Sequence, residues 1–125
     1  MIIYRIEHGE SGRGAFAAGL ARTHDEFSGS DHSAYDHPGP IGEWDTELHS
    51  QYMRGELDSH YFGCRSKTQL RSWFRSSPGR RAMAKAGGVM VTYEAPREAI
   101  AMGRTQLAFD MNRATKLSSV PADQW

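Results

Sequence analysis

The sequence predicts an α+β domain, in which a small, twisted antiparallel or split β-sheet is flanked by two or three short helices. Two observations support this prediction. Strand patterns stand towards both ends of the chain with two consecutive helix patterns between them, and every strand pattern is short. With 125 residues, the chain has room for one hydrophobic core of ordinary size, so residues 1–125 are expected to form a single domain.

The first half of the chain combines a clear strand with a long polar stretch. Residues 2–8 alternate in polarity, which predicts a half-buried strand. Residues 15–21 predict one or two helical turns, and residues 45–57 predict a short helix with its large apolar side chains inward. Residues 22–45, rich in Ser, Gly, Asp, His and Pro, predict a long polar loop, and such loops in small domains are usually functional or mobile.

The middle of the chain carries the strongest helix signals. Residues 60–64 predict a short strand, and the sequence Ser66-Lys67-Thr68-Gln69 that follows is a capping box, which begins a helix. A second helix is predicted to open at Ser77-Pro78, with serine as the N-cap and proline in the first turn. Gly87-Gly88 is expected to close that helix.

The last third of the chain predicts two further strands and a loose end. Residues 89–95 form the strongest strand pattern of the sequence, and Pro96 ends it. Residues 105–111 alternate and predict another strand. Residues 112–125 are polar, so this tail is expected to fray unless Val120 and Trp125 dock on the domain.

Charge is distributed unevenly although the net charge is zero. Between Glu7 and Asp58 the chain has eleven acidic and three basic residues, whereas between Arg65 and Lys85 it has seven basic residues and no acidic one. Such segregation predicts one acidic and one basic surface. The two surfaces neutralise each other within the fold or in a head-to-tail contact, or the basic surface meets an anion: a nucleotide, a nucleic acid or an acidic protein. The candidate contact residues for nucleic acid or an acidic protein are Lys67, Arg71, Arg75, Arg80, Arg81 and Lys85.

The order of several polar and aromatic residues resembles the ADP-ribosyltransferase superfamily, including its RES-domain and toxin-type branches. The residues that carry the resemblance are, in chain order, Tyr4-Arg5, Tyr61-Phe62 leading into Ser66, the strand from Val89 to Glu94, and Gln106. In that superfamily the first strand carries Arg or His, the second ends in Ser or Thr before a helix, and the last carries an acid. The resemblance implies an α+β fold that engages NAD or a related nucleotide.

The resemblance also implies roles for individual residues. Arg5, next to Tyr4, would hold a phosphate or a ribose of the nucleotide, and Ser66 would support the pocket. Tyr61 or Tyr35 would stack on the nicotinamide ring. These five residues are the candidate cofactor-binding residues, with NAD as the cofactor.

The sequence departs from the superfamily at the position of its catalytic acid, which Gln106 matches best. Because an amide cannot act as a carboxylate, either Asp110 or Glu94 supplies the acid from another position, or the protein binds without catalysing. Whether the chain is an NAD-dependent ADP-ribosyltransferase therefore stays open. The candidate catalytic residues are Arg5, Ser66, Glu94, Gln106 and Asp110.

The sequence also resembles small bacteriophage proteins in its pattern of Tyr-Arg-Ile-Glu-His, His-Pro-Gly-Pro and Phe-Gly-x-x-Ser followed by Trp-Phe. That resemblance suggests a viral origin and gives no activity. The leading hypothesis, which adds the nucleotide-pocket resemblance, is a phage-type protein with an ADP-ribosyltransferase-like fold that modifies or inhibits a component of the host or of its defence, which makes it an anti-CRISPR candidate. One alternative is a non-enzymatic inhibitor that binds a host or defence protein complex through its charge-segregated surface. A third hypothesis is nucleic-acid binding through residues 65–85.

Other chemistries receive weaker support. Three acid–histidine pairs lie between His24 and His37, but their spacing matches no standard metal site and no metal is predicted. Cys64 is the only cysteine, which excludes an intramolecular disulfide, and it is expected to be a small buried hydrophobe. No run of eighteen apolar residues occurs, so no contact with a membrane is expected and the predicted location is the cytoplasm.

Overall fold

The structure is a computed structural model that describes residues 1–27, 34, 37 and 39–125. Its helices are α1 (Leu20–Glu26), α2 (Glu47–Met53), α3 (Lys67–Trp73) and α4 (Ser77–Lys85). Its strands are β1 (Ile2–His8), β2 (His60–Gly63), β3 (Gly88–Glu94), β4 (Ile100–Met102), β5 (Leu107–Asp110) and β6 (Thr115–Pro121). Single 3₁₀ turns are formed by Pro40–Gly42, Arg97–Ala99 and Met111–Arg113.

The strands form two antiparallel sheets of three strands each, in the orders β1-β3-β6 and β2-β5-β4. A single bridge joins them, in which Tyr4 and Cys64 exchange backbone hydrogen bonds of 2.9 and 2.8 Å. The two sheets thus meet at β1 and β2 and separate from there as a split sheet. This arrangement confirms the α+β prediction, with four short helices in the described chain where two or three were expected.

The hydrophobic core lies on both sides of β1. One cluster packs Ile6 and Met90 against the helices, and a second packs Ile3 between the two sheets against Leu107 and Phe109. The prediction that the first strand is half-buried was therefore wrong. Its second face, expected to meet solvent, is covered by the sheet that contains β2 and β5.

The predicted helix starts agree closely with the structure. The Ser66 hydroxyl accepts a hydrogen bond of 3.0 Å from the backbone N–H of Gln69, and the Gln69 side chain accepts one from the backbone N–H of Arg65. The N-cap of α4 is Ser76, one residue before the predicted one, and its hydroxyl accepts from the backbone N–H of Gly79 at 3.1 Å. Each cap satisfies a backbone donor that would otherwise lack a partner.

Two predictions in the first half need correction. The helical turn expected at residues 15–21 begins only at Leu20, because Gly19 before it adopts a left-handed φ of 76°, and α1 then extends into the predicted 22–45 loop. Tyr52 and Met53, expected inward on α2, are 44% and 59% exposed. Part of the predicted loop, residues 28–33, 35–36 and 38, lies outside the described residues.

The predicted loose end at 112–125 is also wrong in part. Thr115–Pro121 is polar and mostly exposed, yet it forms β6, which pairs with β3 along its length. An edge strand is held by backbone hydrogen bonds and needs no apolar side chains for them. Beyond it, Ala122 is buried and its carbonyl accepts a hydrogen bond from the Trp125 indole. In the part of the chain that the structure describes, no helix is long and apolar enough to cross a bilayer.

Candidate functional site

A cleft of about 510 Å³ opens where β1 and β2 part, and α3 forms one of its walls. Most of its lining is apolar or aromatic, and a few polar groups point to one space, which is the usual composition of a small-molecule site. The aromatic residues that line it are Phe16, Tyr61, Phe62, Trp73 and Phe74. The polar ones are Arg5, His37, His60 and Gln106.

Arg5 is the cation of the cleft, and the protein holds it in one orientation. It is only 7% exposed, and its guanidinium lies 4.5 Å from the centre of the Tyr61 ring. Nε donates to Oε2 of Glu7 at 2.9 Å, and Nη1 donates to the backbone carbonyl of Phe62 at 2.9 Å. Nη2 makes a longer contact of 3.4 Å with the carbonyl of Gly12. Since a guanidinium has five N–H donors, two are left to meet a ligand.

Glu7 and Tyr93 form the layer beneath Arg5. The Tyr93 hydroxyl donates to Glu7 at 2.9 Å. Burial, and then the hydrogen bond to Glu7, raise the pKa of Tyr93 above its ordinary range. Tyr93 therefore stays protonated, and Glu7 accepts from both Tyr93 and Arg5. The carboxylate orients the cation and is not itself part of the cleft lining.

Gln106 enters the cleft from the turn that precedes β5. The turn is fixed by Glu43, whose carboxylate is fully buried. Glu43 accepts hydrogen bonds from the backbone N–H groups of Arg104 and Thr105 at 2.8 and 3.1 Å, and from the Thr105 hydroxyl at 2.8 Å. The Thr105 carbonyl in turn accepts from the Trp73 indole at 2.9 Å. Glu43 thus positions both Gln106 and a wall of the cleft, a role that no sequence pattern indicated.

Two histidines, His37 and His60, also line the cleft, and neither is among the candidate site residues that the sequence predicted. The ring of His37 stacks on Trp73 at 4.2 Å, and its Nε2 lies 3.2 Å from the Ser72 hydroxyl. The buried Nδ1 of His60 has no hydrogen-bond partner within the described chain. A buried polar atom without a partner is uncommon, and in a cleft it is a contact that a ligand can supply. Among the described residues, no group of three His, Cys, Asp or Glu could hold a metal ion.

The structure brings together three of the predicted site residues and places four others, Tyr4, Ser66, Glu94 and Asp110, outside the cleft. Arg5, Tyr61 and Gln106, from three different elements, line the same cleft. Tyr4 and Ser66 lie outside the cleft. The centre of the Tyr4 ring is 5.9 Å from Nζ of Lys67, and Ser66 is the N-cap of α3. Tyr35 falls outside the described residues.

The two predicted carboxylates do not reach the cleft. Glu94 is exposed at the end of β3, and Asp110 accepts hydrogen bonds from the Ser59 hydroxyl and the Asn112 backbone N–H. None of the described residues that line the cleft is Asp or Glu. Cys64 also lines it, but burial raises the pKa of its thiol to about 12, so at neutral pH it is not a thiolate nucleophile.

The chain matches one known protein family over nearly its whole length. The family model described as Bacteriophage T4 Y00F protein matches residues 1–123. No curated protein and no solved structure matches the chain. The chain therefore belongs to the Bacteriophage T4 Y00F protein family and is a small phage protein.

Proposed function

We propose that this phage protein binds NAD or a related nucleotide, such as ADP-ribose, in the cleft, and that it modifies or inhibits a host component. The observation that carries the proposal is that Arg5, Tyr61 and Gln106 line one cleft although they are far apart in the sequence. Arg5 and Tyr61 are among the residues that carry the resemblance to ADP-ribosyltransferases, and Gln106 stands where that superfamily has its acid; Ser66 and Glu94, which also carry the resemblance, lie outside the cleft.

The chemistry of the cleft suits each part of such a ligand. Two N–H donors of Arg5 have no partner among the described residues, and they suit phosphate or ribose oxygens, since a guanidinium binds anionic oxygens with paired hydrogen bonds. The aromatic walls offer faces on which a nicotinamide or adenine ring stacks. Gln106 carries an amide that donates and accepts, as recognition of a carboxamide or a ribose hydroxyl requires.

The second candidate function is inhibition without catalysis. It is favoured by the lack of Asp or Glu among the described residues that line the cleft. Cleavage of the nicotinamide–ribose bond passes through a cationic, oxocarbenium-like state, which a carboxylate stabilises and a neutral amide does not. An assay for the release of nicotinamide from NAD by the parent protein separates the two functions. Release of nicotinamide supports a transferase, and binding of NAD without release supports a nucleotide-dependent inhibitor.

Calorimetric titration with NAD and with ADP-ribose tests the proposal. We expect a Kd on the order of micromolar for one of them. Arg5→Lys keeps the charge but loses the planar donor pair, and should weaken binding about tenfold or more. Tyr61→Ala should weaken it similarly by removing a ring face. Arg113→Ala is the matched control, since Arg113 lies outside the cleft and pairs with Glu98. No heat at millimolar ligand, or equal affinity in all variants, would overturn the proposal.

A further inference from the structure

The outer surface of α3 and α4 is basic and without counter-charges. We call it the basic face, formed by Arg65, Lys67, Arg71, Arg75, Arg80, Arg81 and Lys85. All but Arg80 are exposed, and no acidic residue occurs between positions 65 and 85. The ion pairs found among the described residues involve other cations, namely Arg5, Arg22, His24, Arg54, Arg97 and Arg113. Among the residues that the structure describes, none of the seven cations of the basic face forms an ion pair.

Two arginines of the basic face are held in place by Trp125. The guanidinium of Arg71 lies 4.8 Å and that of Arg80 lies 6.0 Å from the centre of the indole ring. Arg71 also donates to the Trp125 carbonyl, and Arg80 donates to the Phe74 carbonyl at 2.7 Å. Two like charges are thus fixed near each other, and burial together with the charges of Arg71 and Arg81 lowers the pKa of Arg80. A bound anion would relieve this repulsion.

The anionic partner of the basic face is either nucleic acid or an acidic protein, and the position of the exposed apolar residues bears on which of the two it is. Protein–protein interfaces are built around apolar or aromatic anchors at their centre and are depleted of lysine there. No large hydrophobic side chain is exposed within the described residues 65–85 themselves, and the exposed Phe27 lies at the edge of this surface, where its carbonyl accepts a hydrogen bond from Ser76. Phosphate backbones need no such anchors, because lysine, arginine and hydroxyl side chains bind them directly. The Ser77 hydroxyl accepts a hydrogen bond of 2.8 Å from Arg81 on this surface, whereas the Ser72 hydroxyl contacts His37 and the Ser76 hydroxyl caps α4.

We propose that the basic face binds the sugar–phosphate backbone of nucleic acid. The surface presents single-sign charge on two consecutive helices, with two guanidinium groups pre-oriented on one indole. Because clustered arginine and lysine side chains bind phosphates irrespective of sequence, the binding should depend on the backbone more than on the sequence. Because each neutralised phosphate releases counterions, affinity should fall steeply as salt rises. This inference is independent of the nucleotide proposed for the cleft.

The test is fluorescence polarisation with labelled oligonucleotides of about 20 nucleotides, single-stranded and duplex, between about 50 and 200 mM salt. The test variant carries Arg75→Glu, Arg81→Glu and Lys85→Glu, which spares the two arginines on Trp125. The control carries Arg13→Glu, Arg22→Glu and Lys116→Glu, three exposed cations elsewhere. Both variants have the same net charge, so overall charge cannot account for a difference between them. Thermal denaturation confirms that each is folded.

We expect the parent to bind both probes, the test variant to lose at least about tenfold in affinity, and the control to stay within about threefold at equal salt. The slope of log affinity against log salt should be shallower for the test variant. Equal losses of affinity in both variants would overturn the proposal. So would the absence of binding to either oligonucleotide at protein concentrations up to about 100 µM. Binding of a polyglutamate chain without binding of either oligonucleotide would assign the basic face to an acidic protein instead.

Discussion

The ion pair beneath the cleft allows a sharp test of how Arg5 is held. The side chains of Arg5 and Glu7 are 8% and 6% exposed, and Nε lies 2.9 Å from Oε2. The substitution Glu7→Gln keeps the shape of the side chain and an oxygen acceptor for Tyr93. It removes the negative charge that faces the guanidinium and replaces one acceptor oxygen by an NH2 group, while the remaining oxygen can still accept from Arg5 and Tyr93.

The magnitude follows from burial. Removing one partner of a buried ion pair leaves an uncompensated charge and costs about 3–5 kcal/mol. Because glutamine still offers one acceptor oxygen, we expect the lower end, a loss of about 3 kcal/mol in the free energy of unfolding. In a domain of this size that loss lowers Tm by roughly 10 °C. Adding Arg5→Met to Glu7→Gln removes the uncompensated charge, so the double variant should be more stable than Glu7→Gln alone by about 1 kcal/mol or more.

Urea denaturation followed by circular dichroism measures these differences. Glu98→Gln is the matched control, because the pair of Glu98 with Arg113 is exposed and its loss should not be measurable. The confinement of the Arg5 charge is contradicted if Glu7→Gln lowers the free energy of unfolding by less than about 1 kcal/mol, or if the double variant is less stable than Glu7→Gln. Either result would mean that the charge of Arg5 is not confined as the contacts indicate.

Three further outcomes are expected. Ser66→Ala should lower the free energy of unfolding by about 1 kcal/mol in urea, through loss of the α3 N-cap, with nucleotide affinity unchanged. The raised pKa of Cys64 should keep its thiol inert to a disulfide reagent at pH 8 until denaturant is added. The stability that comes from keeping this thiol protonated should be complete below the ordinary thiol pKa and lost as pH rises toward about 12. Glu43→Ala should cost about 3 kcal/mol in urea denaturation by leaving buried donors unpaired, and should change the near-ultraviolet circular dichroism of Trp73.

Local signals in the sequence predicted local features of the fold. The capping box at Ser66 begins α3, and the apolar run at 89–95 forms β3, because caps and strand alternation involve residues only a few positions apart. The order of Arg5, Tyr61 and Gln106 was also visible in the sequence. That they line one cleft became clear only from the pairing of β1, β2 and β5.

Long-range contacts account for what the sequence did not reveal. Glu43 is about sixty residues away in the sequence from the backbone N–H groups whose hydrogen bonds it accepts. Its sequence neighbourhood therefore does not distinguish it from any other carboxylate in a loop. The burial of both faces of β1 depends on a sheet whose strands begin at residue 60. β6 was missed because its side chains are polar, and its stability comes from backbone pairing with β3.

The most direct test of the nucleotide proposal is an NMR titration of ¹⁵N-labelled protein with ADP-ribose, followed residue by residue. We expect saturable shifts concentrated at Arg5, Tyr61 and Gln106, including the side-chain amide of Gln106, because these groups line the cleft together. Shifts confined to the basic face would show an anion bound elsewhere. Such a result, or a spectrum unchanged at millimolar ligand, would contradict the assignment of the cleft as a nucleotide site.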